Sequence, residues 1–235
     1  MSVEAFANAE ELFNQAFSAE DPLPRLIELL KEHPTHLALR DLVVAYTEAV
    51  EADPARGQRL ASALSKLGHS PDAPAISTTD TLDALLNREL ADYHFKWAGF
   101  GEGPHTWGPE NQYLLESNLS GLSLKNRLTS TSDMLAAVDA GLNATPGTSH
   151  VQEVVVGTCI QLLLAGSVFA SEDAGTYRKT PADVAAKLKK QKEQGTVKDE
   201  NATHVLELAI AQAEGGLKPE TEIDNVYGLL FPDKL

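Results

Sequence analysis

Apolar residues along this 235-residue chain recur three and four positions apart, in runs that end at proline or glycine. That interval puts them on one face of a 3.6-residue helix, and it constrains the fold more than any other feature. Phe6, Ala9, Leu12, Phe13 and Ala16 mark a first helix over about 3–17, stopped by Asp21-Pro22. Leu23, Leu26, Ile27, Leu29 and Leu30 mark a second, stopped by His33-Pro34. Leu37, Leu39, Leu42, Val43, Tyr46 and Val50 mark a third over about 35–52. Leu60, Leu64 and Leu67 mark a fourth that ends at Gly68. Proline suits the first turn of a helix and breaks its interior, so each Asp-Pro both ends one helix and starts the next.

The two Asp-Pro pairs, at 21–22 and 53–54, stand 32 residues apart. A repeat of about that length is what stacked helical hairpins produce. In the relative spacing of Tyr46 and Ala55 the segment weakly resembles a tetratricopeptide pair, although the rest of that motif is missing. The resemblance covers only about the first 70 residues. The expected organisation is a helical-hairpin unit over 1–70, a linker over 71–79 and a larger helical bundle over 80–235.

Within that bundle, Leu82, Leu85, Leu86 and Leu90 predict a helix capped by Thr79 or Asp80 and ending between Tyr93 and Trp97. Pro109-Glu110 is expected to open another, with Tyr113, Leu114, Leu115 and Leu119 as its apolar members. Gly121 to Ser130 reads as a turn or broken helix, and Ser130 to Asp133 as a cap before Met134–Leu142. A long central core helix follows from about Ser149 to Ser171. Its Val154-Val155-Val156 would also suit a strand, but the length of the run favours helix. Thr180-Pro181-Ala182-Asp183 starts a helix stopped by Gly195, Asn201 to Ala213 forms another, and Glu220 to Leu230 is expected to close the bundle as a lid. Aromatic residues are only 6% of the chain, a composition suited to close helix packing rather than to sandwiches or barrels. The fold expected is an all-α multi-helix bundle of about nine to eleven helices.

The formal net charge is −15. Such a chain repels nucleic-acid backbones and anionic lipid at long range, so direct nucleic-acid binding and membrane association are not expected. The run Lys187, Lys189, Lys190 and Lys192 reads as a solvated helix face answered by Glu193, Asp199 and Glu200. Lys125 and Arg127 are expected to pair with Glu116 or Glu110. Cys159 is the only cysteine and lies in the apolar run, as a buried inert thiol would. No basic segment followed by an apolar one stands at the N-terminus, and the stretch 151–170 is interrupted by Gln152, Glu153, Gly157, Thr158, Gln161, Gly166 and Ser167. A cytoplasmic location is the resulting expectation.

No phosphate-loop, dinucleotide, metalloprotease, nucleophile-elbow or EF-hand motif is present in the sequence. The segment that concentrates chemistry is Asp92 to Glu116, around an irregular glycine- and tryptophan-rich loop at 98–108. Three readings compete there. Asp92, His94, His105 and Glu110 supply imidazole and carboxylate ligands suited to a divalent metal, the one cofactor these residue types would admit. His105 with Glu110 would suit general acid–base catalysis. Trp97, Phe100, Trp107 and Tyr113 would suit a contact surface for a protein partner, basic by complementarity with this acidic chain. The leading expectation is a soluble cytoplasmic binding or adaptor protein, including inhibitor or immunity-type roles. The alternative is an enzyme with a metal-assisted or acid–base hydrolytic site around Asp92–Glu116.

Overall fold

The computed structural model describes residues 7–97, 107–129, 131–171 and 179–234. Among the described residues there are eleven α-helices and no strand. The valines at 154–156 are helical, as length rather than branching had favoured.

The chain divides into two compact units, Met1–Lys96 with Asn126–Thr129, and Trp97–Lys125 with Ser130–Leu235. The first contains α1 (Ala7–Ser18), α2 (Leu23–Glu32), α3 (His36–Ala52), α4 (Gly57–Gly68) and nearly all of α5 (Leu82–Trp97). α1 packs mainly on α3 and α2 on α4, so equivalent helices of the 32-residue repeat lie against each other. Phe13, Phe17, Leu26, Leu30, Leu39, Tyr46 and Leu64 fill the core between them. The rings of Phe17 and Tyr46 are 6.0 Å apart. Thr35 caps α3, its side chain accepting from the Ala38 amide at 3.1 Å. The second Asp-Pro does more than stop α3. It starts a 3-10 turn, Pro54–Arg56, from which the Arg56 guanidinium donates to the Phe17 carbonyl near the open end of α1.

The second unit contains α6 (Gln112–Lys125), α7 (Thr131–Leu142), α8 (Val151–Ala170), α9 (Pro181–Glu193), α10 (Glu200–Glu214) and the short α11 (Val226–Leu230). α8 is its axis. α6 lies along α8 most extensively, with α7 and α10 on its other flanks. α8 is the one helix among the described residues long and apolar enough to cross a membrane, with a mean hydropathy of 1.8. It is 83% buried within its apolar window, where the other helices cover it. Cys159 is fully buried in it.

Four expectations are corrected here. Gly121 does not break a helix, and α6 runs on to Lys125. A Cβ on Gly121 would stand 2.8 Å from Leu164 Cδ1, and one on Gly157 2.7 Å from Tyr113 Cε1. Both glycines serve close approach of α6 and α8, a tertiary need that helix propensity does not register. Pro109-Glu110 lies in a turn before α6, which begins at Gln112 because Asn111 caps it, its side chain accepting from the Leu114 amide at 3.3 Å. The expected lid over 220–230 is α-helical only from Val226, after a 3-10 turn at Pro219–Thr221, since the Glu222 side chain and the Ile223 amide bond to α8. Finally, the lysines of α9 are answered across helices. α10 brings Glu214 to Lys189 and Glu207 to Lys192 at 2.6 Å, and α7 offers Asp139 to Lys187 at 3.8 Å.

Candidate functional site

The helical period of 82–97 carries Asp92 on the exposed face of α5, and His94 and Trp97 lie on the same helix. The side chains of His94 and Trp97, and the whole of Phe100 and His105, lie outside the described residues. A convergence of Asp92, His94, His105 and Glu110, and a His105–Glu110 pair, fall outside the described residues. Among the described residues, no group of three or more His, Cys, Asp or Glu is assembled to hold a metal.

From Trp107 onward the geometry is defined. The Trp107 indole is half-buried and tilts against Phe231, with ring centroids 6.2 Å apart. Phe231 in turn packs on Tyr227 at 4.9 Å. Tyr227 is buried, and its hydroxyl donates to the Pro109 carbonyl. Burial and then the nearby Glu110 carboxylate push the Tyr227 phenol well above the usual range. The turn that carries Trp107 is thus pinned at two points to α11 and the residue after it. Trp107 and Phe231 keep part of their surface in solvent.

Charged groups rim this aromatic cluster. The Glu110 side chain is 89% exposed and faces Lys234 at 3.8 Å, a weak surface pair. Asp233, the residue before Lys234, is exposed. Tyr113 stands in the first turn of α6, turned toward α8 against Gly157, and burial raises its phenol too. Tyr113 thus lies at the seam between the helices, and it and Trp107 are both half-buried.

Sequence reasoning missed the cluster's other half. Phe231, Tyr227 and the segment that leads to them carry no local motif, and only tertiary packing brings them to Trp107. It also missed Lys125, which does not pair with Glu116 or Glu110. Its ammonium lies 3.7 Å from Glu222 and 2.5 Å from Asp224. The Glu222 side chain is only 5% exposed, and it accepts from the Ser167 amide at 3.0 Å and from the Ser167 hydroxyl. A separate open groove of about 610 Å³ runs between α9 and α10, floored by Ala182, Ala185, Ala186 and Ala213 and edged by the Lys189–Glu214 pair.

No protein-family model matches the chain, and neither a curated protein nor a solved structure matches it.

Proposed function

We propose that this chain is a cytoplasmic binding or adaptor protein that works through protein–protein contact, with Trp107 as the anchor of its contact surface. The observation that carries the reading is the half-exposed Trp107 indole, seated on Phe231, which Tyr227 backs, with the Glu110–Lys234 pair nearby. A tryptophan already held in place costs little further side-chain entropy when a partner covers it. Tryptophans so placed carry a disproportionate share of interface energy. The net charge of −15 favours a basic partner, raising its rate of encounter more than its residence time. An inhibitor or immunity role toward a basic enzyme belongs to the same reading.

The test is affinity capture from cytoplasmic extract with the wild-type protein and with Trp107→Ala, each first checked for full helicity. A partner bound through this surface is lost or weakened by about 2 kcal/mol or more in the variant. Its capture by the wild type also falls as salt rises. The same partners retained at the same level by both proteins would remove Trp107 from the contact surface.

A further inference from the structure

α8 is not one regular helix. Ala165 has φ −132° and ψ 24°, and it sits just before Gly166-Ser167 in the last turns. In a regular helix the Leu163 carbonyl would accept from the Ser167 amide, four residues on. Here both groups are met from one external segment. The Ile223 amide donates to the Leu163 carbonyl at 2.9 Å, and the Ser167 amide donates to Glu222 Oε1 at 3.0 Å. Sharp kinks occur at Gly/Ser pairs and where a foreign side chain enters the ladder of backbone bonds. Both causes are present.

The segment that makes these bonds is a strap fixed at each end. It leaves α10 through Gly216 and Leu217, at φ +93° and +54°. The second is a left-handed conformation that a leucine adopts at a cost. Its far end is held by Tyr227 on the Pro109 carbonyl, by Phe231 on Trp107, and by the Asn201 side chain, which donates to the Leu230 carbonyl at 3.2 Å.

We infer that this strap is a releasable clasp, and that α8 has two conformers: kinked at Ala165 with the strap seated, continuous with it released. Release costs the Leu163 carbonyl and the Ser167 amide nothing in hydrogen bonds, because each finds the other. The Glu222 carboxylate, buried when seated, returns to water. Gln212 is buried beside Gly166, with neither end of its amide hydrogen-bonded, a cost that a rearranged 163–167 turn can relieve. At 163–167 the two packings therefore exchange backbone bonds like for like, while the Ser167 hydroxyl bond and the Lys125 pairing of Glu222 hold the strap in its seat. Since the strap carries Phe231 and Tyr227, release also uncovers the second face of Trp107. That consequence for binding rests on the contact role of Trp107, whereas the conformational claim does not.

The test is backbone NMR and amide hydrogen exchange on the full chain, as wild type and as Glu222→Ala. In the variant, exchange at Ile223 is expected to quicken about tenfold or more, while the Ala165 Cα resonance moves into the helical range. Two outcomes overturn the inference: Ala165 keeps its non-helical shift although the strap has loosened, or residues 163–167 lose helical shifts together. Unchanged exchange and unchanged shifts also overturn it. Should Glu222→Ala fail to fold, Ile223→Pro deletes the donor to Leu163 and leaves the carboxylate in place. Proline carries no amide to exchange, so the Ala165 Cα resonance is then the readout: it is expected to move into the helical range, and a retained non-helical shift or loss of helical shifts across 163–167 overturns the inference. Trp107 binding experiments fail or succeed independently of these signals.

Discussion

Trp107 and Phe231 meet at 6.2 Å with their rings inclined by 51°, joining the turn before α6 to the residue that follows α11. An aromatic pair in this range contributes about 0.5–1.5 kcal/mol beyond the area it covers. Its position matters more than that figure, because it couples the candidate contact surface to the strap across α8.

The hydroxyl of Tyr227 is the second tie. Tyr227→Phe keeps the ring on Phe231 and deletes only the bond to the Pro109 carbonyl. Denaturant unfolding is expected to give a loss of about 1 kcal/mol, and tryptophan emission should move to the red as Trp107 gains freedom. Stability and emission both equal to wild type would mean that this bond contributes nothing.

At the α6–α8 seam, Gly157→Ala drives a methyl group into Ser117 Oγ and to 2.7 Å from Tyr113 Cε1. The helix gains up to about 1 kcal/mol in propensity, but overpacking costs about 1–3 kcal/mol. The net expectation is destabilisation, partly relieved in a Ser117→Ala background. A double-mutant cycle by urea unfolding measures this, and a stabilised Gly157→Ala would contradict the close seam.

Cys159 should be silent toward thiol reagents in the native protein. It is fully buried, and burial pushes its thiol far above the usual range, so no thiolate is available. Reaction with a disulfide reagent should follow unfolding and reach one equivalent in denaturant. A rapid native reaction would place this part of α8 at the surface.

The protein should lose stability on the alkaline side. Burial raises the phenols of Tyr113 and Tyr227, with Glu110 adding to the second. Their contribution is complete below the ordinary tyrosine range and declines above it, as the unfolded chain releases protons that the folded chain keeps. Denaturation midpoints measured through that range should fall, and Tyr227→Phe should flatten the decline.

Much of the helical layout was legible from local signals. Pro22, Thr35 and Thr180 mark starts because proline and short polar side chains suit the first turn, and the apolar interval supplies the rest. What failed was long-range. A glycine that ends a helix and one that lets two helices touch look alike in a single chain, so Gly121 was misread. Ile223, Val226, Tyr227, Leu229 and Leu230 keep helical spacing, yet two hydrogen bonds to α8 outweigh propensity at 222–223. Trp107 and Tyr113 drew attention by residue type. What each of them packs against, Phe231 for Trp107 and Gly157 for Tyr113, lies far away in sequence.

α8 is coated by helices made at different times. α6 and α7 leave the ribosome before it, whereas α10, α11 and the strap come later. For as long as translation takes to reach those segments, one flank of a twenty-residue apolar rod has nothing of its own chain to lie against. Nascent protein halted in that interval is sticky in a way the finished molecule is not, and this fold leans on whatever shields emerging chains in the cell until its last turns arrive.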